Sequence, residues 1–301
     1  MKKKRIVLCF VICGLLLFTL CTCSTDSNSS PSTAESLVSS EVSSAIEKNA
    51  PALKAEEEAR SEPTIKTGFI TEQILNEEDG EIHYSYYLPE GYNENRKYPM
   101  MVVMPGYDMM WFGEESSGSN LDWRGFLTWT ELNEEMIVVS AQLTDWGEPS
   151  ARQAVALTEY FLEHFSVDPS RVYAAGYSAG GETMSRAVTM RPDLYAAYLH
   201  GASQWDGKFA PVAENGVAVY IFMAESDEYY GSQKAQAAYD GLYKAYENAG
   251  WTDGQIHTVL QLEIPDDAYF NSRGIYGNYH GGGNVLFEDK SILNWILSHS
   301  K

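Results

Sequence analysis

The chain has 301 residues, is 44% hydrophobic and 13% aromatic, and carries a formal net charge of −21. A body this acidic repels polyanions, which argues against a nucleic-acid partner. Its four cysteines, Cys9, Cys13, Cys21 and Cys23, all stand near the N-terminus, so nothing beyond them offers a disulfide, a thiolate metal site or a thiol nucleophile.

Lys2, Lys3, Lys4 and Arg5 form a basic start, and the uncharged apolar run Ile6 to Leu20 that follows is short for a bilayer span. The pair fits a secretory signal. The run closes on "LCTCS", Leu20 to Ser24, which resembles the lipobox of bacterial lipoproteins. That resemblance implies a signal peptide over residues 1–22 and lipidation of Cys23, with Cys21 the competing position; an uncleaved membrane anchor is the other reading. Both place the body at the extracellular face, lipid-anchored or secreted. Residues 23–64 are rich in Ser, Glu and Ala and hold no aromatic residue. Such a stretch buries too little surface to offset its ordering entropy, and it is expected to act as a flexible tether. There is no internal repeat.

Residues 65–301 are expected to form one large domain with a substantial core. "KTGFITEQILN" and "EIHYSYYLPE", joined by "EEDG", predict an antiparallel hairpin. Buried strands are predicted at "PMMVVMP", "EMIVVSAQ", "RVYAAGY", "YAAYLHGAS", "VAVYIFMA" and "IHTVLQLEI". Helices are predicted at "SARQAVALTEYFLEHF" after Pro149-Ser150, at "GGETMSRAVTMRP", at "SQKAQAAYDGLYKAYENAG" and at "EDKSILNWILSHS". This alternation means an α/β fold, a mostly parallel central sheet with helices on both faces. No long insertion separates Ser203 from Val217, so no large lid is expected.

One turn concentrates the chemical signal. In "RVYAAGYSAGGETM", Ser178 lies between Gly176 and Gly180, after a strand and before a helix. A sharp strand-to-helix turn needs small residues two before and two after the serine, because the two backbones crowd there. The pattern alone also fits a plain glycine-rich turn. With its context it resembles the α/β-hydrolase superfamily, and "VDPSRVYAAGYSAGG" is similar to the feruloyl-esterase and polyhydroxybutyrate-depolymerase-like esterase branch, with secreted prolyl oligopeptidase-type peptidases also similar here. The resemblance covers nearly all of residues 65–301 and implies the α/β-hydrolase fold.

A serine hydroxyl needs a base and an orienting acid to act as a nucleophile. The superfamily order of serine, acid, histidine implies an acid in "VYIFMAESDEYYG", where Glu225, Asp227 and Glu228 compete and the family pattern selects Asp227. Of six histidines, His280 alone falls in a loop between the last strand and the last helix, in "YGNYHGGGNVLF", where the superfamily places its base. For the oxyanion hole the resemblance implies the backbone N–H of Ala179 and a second donor from "VVMPGYDMMW". Pro105 has no N–H, so Tyr107 is the choice and Asp108 the alternative. The histidine usual at the start of that loop is absent.

The strand-end loops carry many aromatic residues, among them Trp146, Trp205 and Tyr229, which suit stacking on sugars or aromatic acids and equally suit loop packing. The expected function is an extracellular serine hydrolase of carboxylic esters, on acylated carbohydrate or small esters. A prolyl oligopeptidase-type peptidase is the alternative, although the tether is too short to form the propeller such enzymes carry; a non-catalytic binding lipoprotein is the third. No metal-ligand cluster, phosphate-cradling loop or cofactor motif is present, so no cofactor is expected.

Overall fold

The structure, a computed structural model, describes residues 67–110 and 119–301. The signal peptide, Cys21, Cys23 and the tether expected at the N-terminus lie outside the described residues. Two strands open the described chain: β1 (Gly68–Glu77) and β2 (Gly80–Leu88) form the predicted antiparallel hairpin. Then come β3 (Tyr98–Met104), α1 (Arg124–Thr130), β4 (Ile137–Gln142), α2 (Glu148–His164), β5 (Val167–Tyr177) and α3 (Ala179–Met190). The C-terminal half adds β6 (Ala197–Gly201), α4 (Phe209–Glu214), β7 (Ala218–Phe222), α5 (Ser232–Asn248), α6 (Asp253–Val259) and β8 (Leu260–Glu263). Three helices close it: α7 (Asp267–Asn271), α8 (Tyr279–Gly282) and α9 (Lys290–Leu297).

The strands make one eight-stranded sheet in the order β1-β2-β4-β3-β5-β6-β7-β8, with β2 antiparallel to β4 and every later pair parallel. Because β3 is buried on both faces, its side chains sort by parity. Met100, Val102 and Met104 enter one core with α2, α3 and α5, while Met101 and Val103 enter the other with α1 and α9. Pro99 is tolerated in this central strand because the β3–β5 register breaks between Tyr98 and Met100, where its missing N–H disturbs no regular ladder. On α2, Ala151, Ala154, Leu157 and Phe161 are buried at helical spacing, and Pro149 sits in the first turn.

Several local expectations change. The stretch "IHTVLQLEI" is strand only from Leu260 to Glu263; its first half is the end of α6. Thr252 and Gln255 form a reciprocal capping box that starts a helix there and carries it to Val259, which puts His257 on a helix rather than a strand. Strand β5 also begins earlier than expected, at Val167. Between β6 and β7 the chain inserts only the short α4.

The sheet order fixes where a ligand can sit. From β3 the chain moves to β4 on one side and then returns to β5 on the other, so the direction of winding reverses between β3 and β5. Loops leaving the carboxyl ends of such neighbouring strands diverge and leave a crevice between them.

Candidate active site

Strand β5 ends at Tyr177 and α3 begins at Ala179, so Ser178 alone makes the turn, with φ 54° and ψ −125°. This backbone region is sparsely populated for a residue with a Cβ. The neighbouring glycines make it possible. A Cβ on Gly176 would lie 2.6 Å from the Gly180 carbonyl oxygen, and one on Gly180 would run into the carbonyl oxygens of Met104 and Pro105. The turn is tied down from β6: the Ser178 N–H donates to the Gly201 carbonyl at 3.0 Å, and the Ser203 hydroxyl donates to the Ser178 carbonyl at 2.7 Å. Behind it His200, fully buried, sits with Nε2 3.1 Å from the Ser203 carbonyl and Nδ1 2.7 Å from the Tyr198 hydroxyl. The carbonyl can only accept, so Nε2 carries the ring proton. Burial pushes the His200 pKa down to about 4, so this ring is neutral at pH 7.

The structure brings Ser178, His280 and Asp227 into one hydrogen-bonded row. Ser178 Oγ is 3.0 Å from His280 Nε2, and His280 Nδ1 is 2.8 Å from Asp227 Oδ2. The Asp227 side chain is wholly buried, and its Oδ1 accepts the backbone N–H groups of Tyr229, Tyr230 and Gly231 at 3.0, 2.7 and 3.3 Å. Burial pushes the carboxyl pKa up, but the His280 hydrogen bond and the backbone donors outweigh it and hold Asp227 below the usual carboxylate range. Of the competing acids, Glu225 is exposed, while Glu228 takes a different place: its carboxylate accepts the backbone N–H of His280 at 3.0 Å.

His280 is held along its main chain as well as at its ring. The Tyr177 hydroxyl donates to the His280 carbonyl, so the residue before the serine grips the residue that carries the imidazole. Asn284 donates from Nδ2 to the Gly281 carbonyl at 2.9 Å and accepts from Trp123 Nε1 at 2.7 Å. Tyr177 and Asn284 escaped the sequence reading, which offers Glu228 only as a competing acid.

Ser178 opens into a cleft of about 400 Å³ at the β3–β5 reversal, within the usual range for small-molecule sites. Gly106 lies against it, the position of its absent Cβ 3.5 Å from Ser178 Cβ. Ala179 is the first residue of a 12-residue helix, where a backbone N–H has no intrahelical acceptor and points out of the helix end. Tyr107 opens the short 3₁₀ turn Tyr107–Met109 and lines the same cleft with Asp108. Trp146 also lines it, edge-on to the Tyr107 ring at 5.6 Å, and Tyr229 stacks on the His280 ring at 5.2 Å. Trp205 does not belong to this wall. Its ring packs against Tyr198, His200 and Phe209, so it is corrected from a substrate contact to a packing residue under β6. The cleft lining includes the carboxyl groups of Asp108 and Glu182, and among the described residues it includes no Lys or Arg. No group of His, Cys, Asp or Glu among the described residues is arranged to hold a metal ion.

Chemically, an imidazole 3.0 Å from a hydroxyl, backed by a carboxylate on its other nitrogen, can take that hydroxyl's proton. Residues 140–249 match the prolyl oligopeptidase family. No curated protein matches the chain. Among solved structures, a thermostable esterase is similar at 18% identity and TM-score 0.64, over 77% of this chain; the chain spans 63% of that esterase. An α/β-hydrolase enzyme from a Medee basin deep-sea metagenome library is similar at 13% identity and TM-score 0.53, over 77% of this chain and 98% of that one. A putative dipeptidyl aminopeptidase IV from Bacteroides ovatus is similar at 14% identity and TM-score 0.52, over 77% of this chain and 36% of its own length. Sheet order, the strained serine turn and these likenesses together give the chain the α/β-hydrolase fold.

Proposed function

We propose that the protein is a serine hydrolase that cleaves carboxylic esters, acylated carbohydrate or small esters, through an acyl-enzyme on Ser178. The observation that carries this reading is the unbroken row from Ser178 Oγ through the His280 ring to Asp227, opening into a cleft large enough for a small ester. His280 Nε2 accepts the Ser178 proton as Oγ attacks the acyl carbonyl carbon. The negative charge that develops on the carbonyl oxygen is met by the backbone N–H groups of Ala179 and Tyr107. Collapse of the tetrahedral intermediate breaks the ester C–O bond, and His280 returns its proton to the departing alcohol. Water, deprotonated by the same imidazole, then releases the acid and restores Ser178. Asp227 holds the Nδ1–H tautomer and stabilises the imidazolium. No cofactor enters any step.

The half-exposed Tyr107, Trp146 and the exposed Tyr229 offer stacking faces for a sugar or an aromatic acid. The N-terminal sequence supports placing the enzyme outside the cytoplasmic membrane on a lipidated Cys23. Labelling with a palmitate analogue that survives in Cys23→Ala would reject that anchor.

A second reading, a prolyl oligopeptidase-type peptidase, is favoured by the family match over residues 140–249. The two separate on a panel of p-nitrophenyl acetate, methyl ferulate, acetylated xylan and a proline-peptide anilide. Ester turnover that disappears in Ser178→Ala is the expected result. Cleavage of the anilide alone would move the assignment to the peptidase, and turnover unchanged in Ser178→Ala would reject both.

A further inference from the structure

Resting on the hydrolase reading, we propose that Glu228 and Tyr177 are positioning residues that clamp the main chain of His280 from two sides, so that the backbone as well as the ring contacts sets how the imidazole meets Ser178. His280 lies in α8, between Gly277 and Asn278 on one side and Gly281, Gly282 and Gly283 on the other. Gly277 and Asn278 turn through positive φ angles of 71° and 49°. A backbone this rich in glycine has much conformational freedom to lose, and a ring is placed no more firmly than the main chain that carries it. The His280 N–H lies in the first turn of α8, where it has no intrahelical acceptor. The Asn278 side chain caps the next N–H, that of Gly281, at 3.2 Å, and Glu228 Oε2 accepts the His280 N–H at 3.0 Å.

On the other side of the residue, the His280 carbonyl accepts the Tyr177 hydroxyl as well as the N–H of Gly283. Tyr177 is the last residue of β5 and is buried, its ring flanked by Trp123 at 6.3 Å and Phe287 at 6.1 Å. Burial and the Asp227 and Glu228 carboxylates push its phenol pKa up, so the hydroxyl stays protonated and donates. Glu228 is exposed and stands outside the cleft lining, but its backbone lies inside the turn that Asp227 Oδ1 fixes through the N–H groups of Tyr229, Tyr230 and Gly231. The acid loop therefore holds His280 twice, at Nδ1 through Asp227 and at the main chain through Glu228. The end of β5 and its turn also hold it twice, at Nε2 through Ser178 and at the carbonyl through Tyr177. A shift of about 1 Å in a reacting group can cost roughly 100-fold in rate. Neither Glu228 nor Tyr177 needs to touch the reacting bond for its grip to matter.

The test uses the full chain with Glu228→Ala, Glu228→Gln, Tyr177→Phe and the double variant Glu228→Ala with Tyr177→Phe. Three readouts separate positioning from folding: the rate constant for phosphonylation of Ser178 by a fluorophosphonate, kcat and KM on p-nitrophenyl acetate, and Tm. Glu228→Ala and Tyr177→Phe are each expected to slow phosphonylation and kcat by about threefold to tenfold, with KM level and Tm within a few degrees of wild type. Glu228→Gln keeps an oxygen that accepts the His280 N–H and should recover most of the rate that Glu228→Ala loses. The double variant is expected to lose at least the product of the two single losses, since either anchor alone still holds the segment. A labelled wild type with both single variants labelled equally fast would overturn this inference alone. So would a loss confined to KM, a Glu228→Gln protein as slow as Glu228→Ala, or a double variant no slower than the slower single one. A wild type that fails to label at Ser178 would overturn the hydrolase reading beneath it.

Discussion

Replacing Asp227 with asparagine changes one atom and should silence the enzyme without unfolding it. Oδ1 of Asp227 faces the N–H groups of Tyr229, Tyr230 and Gly231, so only the amide oxygen can occupy that place. The amide NH₂ must then sit where Oδ2 now is, 2.8 Å from His280 Nδ1. Two N–H groups cannot share that contact, so the imidazole is driven to the tautomer with its proton on Nε2. There it points a donor at Ser178 Oγ and has no lone pair left to take the serine proton. Wrong-tautomer substitutions of this kind lower kcat by about 10⁴-fold, which corresponds to about 5 kcal/mol in the barrier. The three backbone hydrogen bonds survive, so Tm should move by only a few degrees. Steady-state hydrolysis of p-nitrophenyl acetate, read beside thermal unfolding, measures both. A kcat within tenfold of wild type in a folded Asp227→Asn protein would refute the argument that this carboxylate sets the His280 tautomer.

Gly180→Ala places a methyl group on the carbonyl oxygens of Met104 and Pro105 and should lower stability by about 1–3 kcal/mol or more, as overpacked backbones do; a denaturation midpoint equal to wild type would contradict the close approach of the β3 loop to α3. His200 has its folded pKa held at about 4, below the ordinary 6.5, so the unfolded chain takes up that proton first. The His200 contribution to stability should therefore fall by about 3 kcal/mol as pH drops from 6.5 to 4, measured by chemical denaturation. A folded His200→Gln protein should lack that part of the fall, and equal falls in both proteins would reject it. The cleft carries Asp108 and Glu182, includes no Lys or Arg among the described residues, and belongs to a chain of net charge −21. An ester with a carboxylate in its alcohol part should be turned over poorly at low ionic strength, with kcat/KM rising as salt is added, while a neutral ester stays level. An anionic ester that loses activity with added salt would refute this.

Sequence pattern reached furthest where local sterics dictate structure. The small residues around Ser178 follow from the crowding that the structure displays at Gly176 and Gly180, and the apolar runs follow from strands buried on both faces. It failed at "IHTVLQLEI", where β-branched and apolar residues read as a strand although Thr252 and Gln255 held a helix-start signal three residues apart. Trp205 shows a different limit. Its place after β6 was legible, but the direction of its ring depends on Tyr198, His200 and Phe209 around it. The grips of Tyr177 and Glu228 on His280, and of Glu182 on Tyr230, join residues 103, 52 and 48 positions apart. Contacts made only by tertiary folding leave no local periodicity or spacing to read.

The left-handed backbone at Ser178 has an evolutionary side. Holding a side-chain-bearing residue there costs roughly 1–3 kcal/mol, which glycine would largely avoid. Thermal robustness and turnover therefore pull in opposite directions at this one codon. A library screened for heat tolerance alone would drift toward Gly at position 178, yielding sturdier proteins that hydrolyse nothing.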